Sequence, residues 1–257
     1  MFSRLMWSGI VLVACIAMTI GLFFGFGSRL QARTEAAMTC SQTAVVAAER
    51  GSPLLNPDGA KIALPQGEPQ IVATVDGHAI TAARLEMMVQ NASYTNQEVL
   101  ARLGSQAPST LKAELTHSSG TLRQMFLTKL IDNALWLSLG QHDGEYASVA
   151  AAHQMLKQSV AIFHSTSVDD PAHIQFEAFL CVNHLTEASY QVDPTVVQGV
   201  QNALTIAAAK AHVNSTLPPS IQHNNAAIQA ADNAYIQSLW SKNEVQIFLA
   251  DFVPTRA

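Results

Sequence analysis

Residues 71–90, IVATVDGHAITAARLEMMVQ, place a β-branched run, a turn and a capped helix in direct succession. Ile71 to Val75 has strand propensity, and Asp76-Gly77 supplies the two residue types that best tolerate positive φ. Thr81 stands where its hydroxyl can cap a helix. Leu85, Met88 and Val89 then follow at i, i+3 and i+4, which gives that helix one apolar face. A lone strand cannot satisfy its own backbone, so Ile71–Val75 needs a partner from elsewhere in the chain.

The one other strong strand candidate lies near the far end, in DNAYIQSLWSKNEVQIFLADF. There a helical pattern gives way to alternation, with Val245, Ile247 and Leu249 on one face and Gln246, Phe248 and Ala250 on the other. The expected fold is therefore mainly α. A multi-helix lobe is closed by a small two-stranded sheet pairing residues near 71–75 with 245–249.

Between the two strands the sequence reads as helices. Gly104, Pro108, Ser118, Ser119 and Gly120 mark a break, after which TLRQMFLTKLIDNALWLSLG carries a wide apolar surface from Met125 to Leu139 and ends at Gly140. EYASVAAAHQMLKQSVAIF places Val149, Ala152, Leu156, Val160 and Phe163 at near-helical spacing, and a Ser/Asp/Pro linker runs to Pro171. HIQFEAFLCVNHL leads into Leu185-Thr186-Glu187, and Asp193-Pro194 supplies a cap and a first-turn proline for a further helix bearing Val197, Val200, Leu204 and Ala208.

This order of elements resembles the N-terminal domain of the SurA-like chaperone and foldase family. The likeness rests on the strand and helix of residues 71–90, the Leu130-Ile131-Asp132 core of the next helix, the Leu-Thr-Glu helix start at 185–187 and the closing strand. It covers roughly residues 70–250. It implies a chaperone-like protein, bacterial and extracytoplasmic, that binds unfolded or partly folded polypeptides. Many relatives insert a parvulin prolyl-isomerase domain, built of mixed strands and helices around a Gly-Gly-rich loop. Here the interval from Glu145 to Asn243 holds the single glycine Gly199 and is helical in period, so no isomerase activity is carried over. Two alternatives stand beside the chaperone reading: an isomerase-family foldase with a degenerate or absent catalytic domain, and a structural subunit docking on one membrane partner.

Ahead of this body, Leu5 to Gly27 is an uncharged apolar run long enough to span ~30 Å of hydrocarbon as a helix. Residues 1–28 are accordingly read as a membrane anchor, 29–69 as a tether and 70–252 as the helical domain. A cleaved secretory signal stands second, because the apolar run is longer than a signal core and no A-x-A site follows. Leu12-Val13-Ala14-Cys15 matches a lipobox, yet the chain stays apolar well past Cys15. Arg4 on one side is balanced by Arg29 and Arg33 on the other, which leaves topology undecided by charge. Only the resemblance places the body outside the cytoplasm.

Among its 257 residues 13% are charged and 49% hydrophobic, and the net charge is −5. No basic stripe with interleaved aromatics occurs, which excludes a nucleic-acid footprint. Cys15, Cys40 and Cys181 show no CxxC spacing; a Cys40–Cys181 bridge is open. Ser109-Thr110-Leu111-Lys112 matches S-x-x-K without the companion elements that make such a serine a nucleophile. Cys181 and His184 offer two metal ligands where zinc needs three or four. His142, His153, His164 and His173 are scattered singly. No catalytic, cofactor-binding or metal residues are assigned. Met87, Met88, Met125 and Met155 suit either the core or an adaptable groove lining, with core preferred, as it is for Tyr94, Phe126, Trp136, Phe163 and Trp240. Groove residues and oligomeric state are not readable.

Overall fold

The computed structural model describes residues 70–249, apart from His184 and His223. The expected anchor, tether and lipobox, and Cys15 and Cys40 with them, lie outside the described residues. Within the described residues no helix is long and apolar enough to cross a membrane.

The described residues open with β1 (Ile71–Val75), turn through Asp76 and Gly77, and return as β2 (His78–Thr81). Asp76 at φ 48° and Gly77 at φ 78° occupy the left-handed region that tight hairpin turns require. β3 (Val245–Ile247) lies along the other edge of β1, giving an antiparallel sheet in the order β2-β1-β3. Ala73 faces Ile247, Thr74 faces Gln246 and Val75 faces Val245. The pairing of the strand at 71–75 with the one that begins at Val245 is as the sequence implies. The sheet nevertheless has three strands, because Asp-Gly makes a hairpin and four residues intervene before the helix. β3 is also shorter than the expected 245–249. Val72, Ala73 and Val75 of β1 are buried beneath the helices, whereas Ile71 at its start is exposed.

Nine helices are described: α1 (Ala82–Leu103), α2 (Ser109–Leu115), α3 (Ser119–His142), α4 (Val149–Ser165), α5 (Pro171–Val182), α6 (Glu187–Val192), α7 (Pro194–Ser215), α8 (Pro219–Gln222) and α9 (Asn225–Lys242). Their starts are chemically specified. Thr81 Oγ1 accepts from Arg84 N, Ser118 Oγ from Thr121 N, Ser148 Oγ from Ala151 N and Asp170 Oδ1 from Ala172 N. Thr186 and Ser189 form a reciprocal capping box, and Asp193 with Pro194 opens α7 as its sequence implies. Each such cap is worth about 1 kcal/mol.

α3 is the axis of the lobe. Leu127, Leu130, Ile131, Leu135 and Trp136 are buried around most of its circumference, against β1, α1, α7 and α9. Asp132 accepts a 2.5 Å hydrogen bond from Trp240 Nε1, so the Leu-Ile-Asp core ties α9 to α3. Trp136 stacks on Tyr235 with centroids 5.3 Å apart, and Lys210 lies over the same indole. Arg123 of α3 grips both carboxylate oxygens of the buried Glu86 of α1, one at 3.0 Å.

Gly140 does not end α3, contrary to the sequence reading. It lies inside the helix, where a Cβ would stand 3.1 Å from Thr205 Cγ2 and 3.2 Å from Ala209 Cβ. Its lack of a side chain lets α7 approach. The chain leaves α3 two residues later and turns at Gly144, whose φ is 76°.

Candidate functional site

Four helices leave an apolar cleft of about 410 Å³ between them. α3 contributes Leu122, Met125, Phe126 and Lys129, and α5 contributes Ala172, Gln175, Phe176 and Phe179. Both sets fall at i, i+3, i+4 and i+7, one stripe of a helix each. α1 adds Asn91, Ala92, Thr95 and Asn96, one to two turns beyond the Leu85–Val89 face that is given to the core. α2 closes the fourth side with Leu111, Glu114 and Leu115. Tyr190 of α6 completes the lining, edge-on to Phe176 at 5.1 Å and to Phe179 at 6.1 Å.

Three of the polar residues in the lining, Asn91, Asn96 and Gln175, carry neutral amides. Asn91 Nδ2 donates to Asn183 Oδ1 and Asn96 Nδ2 donates to Leu115 O. Gln175 Oε1 is buried and has no partner among the described residues, an arrangement that costs about 1–3 kcal/mol. Glu114 and Lys129 are its charged residues, and His117 lies beside them. Burial holds the Tyr190 phenol in its neutral form well above the ordinary tyrosine range. A cleft of this make-up recognises apolar side chains and, through its amides, peptide-like donors and acceptors.

The walls differ in firmness. α1 and α5 are laced together behind the cleft, where Arg102 binds Glu98 at 2.8 Å and also Glu177. Burial of the Arg102 guanidinium works against its charge, but the bonds to Glu98 and Glu177 outweigh it and raise its pKa. Glu177 in turn lies 3.4 Å from His173 Nε2, and the His173 ring stacks on Phe163 at 3.8 Å. Tyr94 Oη lies 3.4 Å from Cys181 Sγ. α2, by contrast, buries none of its residues and has no side-chain cap. It is the one wall with little packing to hold it, so it is the wall that can adapt.

The structure divides the sequence's candidates. Met125 is on the cleft, 37% exposed, where the core was preferred for it. Met88 is in the core; Met87 and Met155 are half-buried, Met155 against the core. Phe126 serves both, buried yet lining the cleft, while Tyr94, Trp136, Phe163 and Trp240 are structural in the contacts given above. Ser109 and Lys112 lie exposed on α2. Cys181 is disulfide-bonded, and His184 lies outside the described residues. His142, His153 and His164 each contact one neighbour, Asp143, Gln191 O and Glu187. Among the described residues no three His, Cys, Asp or Glu side chains gather as a metal site.

Gln175, Phe176, Phe179, Leu111 and Leu115 were not singled out by sequence reasoning. The apolar residues of α5 run nearly all round the helix, so no single face announced itself. Compared with known proteins, the chain matches no family model, no curated protein and no solved structure.

Proposed function

We propose that the helical body binds non-native polypeptide, seating short apolar segments in the cleft between α1, α2, α3 and α5. The observation that carries this reading is the cleft itself: apolar stripes from α3 and α5, an exposed methionine at its edge and a loosely held α2 across it. Thioethers and weakly packed walls repack around varied guests, which suits a site that must accept many sequences. Asn91, Asn96 and Gln175 supply hydrogen-bond capacity for the guest's backbone. The resemblance to the SurA-like family gives the same function, in a membrane-anchored protein acting outside the cytoplasm without isomerase chemistry.

Photo-crosslinking in cells from a benzophenone amino acid in place of Met125 tests the proposal. Many substoichiometric clients are expected. One stoichiometric partner would instead favour a scaffold docked on a single membrane protein. A proline-peptide isomerisation rate above background would restore the degenerate-foldase alternative.

A further inference from the structure

The wall that α2 gives the cleft is held to the body by very little. Among the described residues, none from 108 to 117 is buried. Leu111 and Leu115, one turn apart, are half-buried, and both line the cleft, so the apolar contacts that hold α2 are made at the cleft itself. At the far end of α2, Asn96 Nδ2 of α1 donates to Leu115 O at 3.2 Å. That carbonyl belongs to the last turn, where a helix leaves its C=O groups without partners of its own, so Asn96 acts as a latch.

The chain is firm on either side of this segment. Ala107 is buried, and Ser118 is fixed by capping α3 through Thr121 N at 3.1 Å. Ala107, restricted by the proline after it, and Pro108 are both extended, with ψ of 124° and 147°. Thr116 leaves α2 at φ −100° and ψ 83°. Residues 108–117 can therefore swing away from the body while α1 and α3 keep their own caps and packing. A helix of seven residues does not persist in water without tertiary contact, so undocking and unwinding of α2 go together.

We propose that α2 is a flap over the cleft, latched by Asn96, and that a polypeptide gains the site when the latch opens. Opening uncovers the apolar stripes of α3 and α5. It also frees Asn96 Nδ2, so that a guest's backbone carbonyl takes the donor that Leu115 O gives up. The opening follows from how α2 is packed; its role as a gate rests on the cleft being a polypeptide-binding site.

Hydrogen exchange on the full chain reads the opening without any guest. The amides of Lys112 and Thr116, bonded to Pro108 O and Lys112 O, are expected to exchange at least about a hundredfold faster than those of Leu130 and Ile131 on α3, yet slower than in an unstructured chain. Asn96→Ala, and Asn96→Asp, which keeps the shape without the donor, should each speed the α2 amides by about fivefold and leave Leu130 and Ile131 unchanged. Amides of α2 as slow as those of α3, or unmoved by either change, overturn the flap. Stopped-flow mixing with a fluorescent, permanently unfolded polypeptide then reads the gate. The association rate is expected to level off as polypeptide concentration rises, at a plateau about fivefold higher in Asn96→Ala. A rate that climbs in proportion to concentration throughout overturns the gate and leaves the binding function standing. If the polypeptide does not bind, the binding function falls and the gate with it, while exchange still decides whether α2 opens.

Discussion

Asp76 and Glu244, 168 residues apart, hold one another by two hydrogen bonds: Asp76 N donates to Glu244 O at 2.9 Å, and Glu244 N donates to Asp76 Oδ1 at 3.1 Å. The turn residue that makes the β1–β2 hairpin is thus also the anchor of β3. One aspartate joins the beginning and the end of the folded body.

Asp76→Ala is expected to lower stability by about 1–2 kcal/mol, by losing the carboxylate acceptor and by placing a Cβ residue without local side-chain support at φ 48°. Asp76→Gly should cost less, since glycine keeps the turn. Chemical denaturation of the three proteins checks the order. Equal losses from both changes would locate the whole effect in the Glu244 bond.

Gly140 separates helix propensity from packing. Alanine gains about 1 kcal/mol of propensity inside a helix, but its Cβ must displace Thr205 or Ala209 by a few tenths of an ångström. Gly140→Ala is expected to stay within about 1 kcal/mol of the parent, and Gly140→Val to lose at least about 2 kcal/mol by forcing α7 away from α3. A fully stable valine variant would show that this contact is looser than described.

Glu86 and Arg123 join α1 to α3, both side chains close to nine-tenths buried. Removing one partner leaves a buried charge, so Glu86→Ala should cost about 3 kcal/mol. Replacing both, with Glu86→Leu and Arg123→Met, should restore much of that loss. Thermal melts of the single and double variants measure the difference.

Tyr190 makes stability depend on alkaline pH. Its phenol ionises near 10 in the unfolded chain and higher in the fold, so the folded state binds more protons between those values and stability falls as pH rises above about 10. Burial, then the Glu98 carboxylate, raises Tyr94 in the same sense, with Arg102 opposing. Tyr190→Phe should therefore be nearly neutral at pH 7 and should flatten the decline above pH 10. An unchanged slope would assign the alkaline loss to other groups.

Much of the fold was legible because its signals are local. Thr81, Thr186 and Asp193-Pro194 each announce a helix start through one side chain's hydrogen bonds to the next turn. β-branched runs announced β1 and β3, and their pairing followed from the need of each for a partner. β2 was not legible: His78-Ala79-Ile80-Thr81 is too short to show alternation and ends in the residue that caps α1. Gly140 misled because a glycine near a helix end is a common stop, and only the approach of α7 reveals its other use. The cleft was least legible. Its residues come from five helices, and Met125, Phe176 and Phe179 carry the same apolar signature whether they face a neighbour or a void.

The most direct test of the account is a titration of a fluorescent, permanently unfolded polypeptide into the full chain and into Met125→Asp, a change at an exposed cleft residue that leaves the core intact. Saturable binding is expected, with the charged variant at least tenfold weaker, a loss of about 1.4 kcal/mol, and an unaltered melting temperature. Equal affinity in the two proteins would contradict the account by taking the polypeptide away from the cleft.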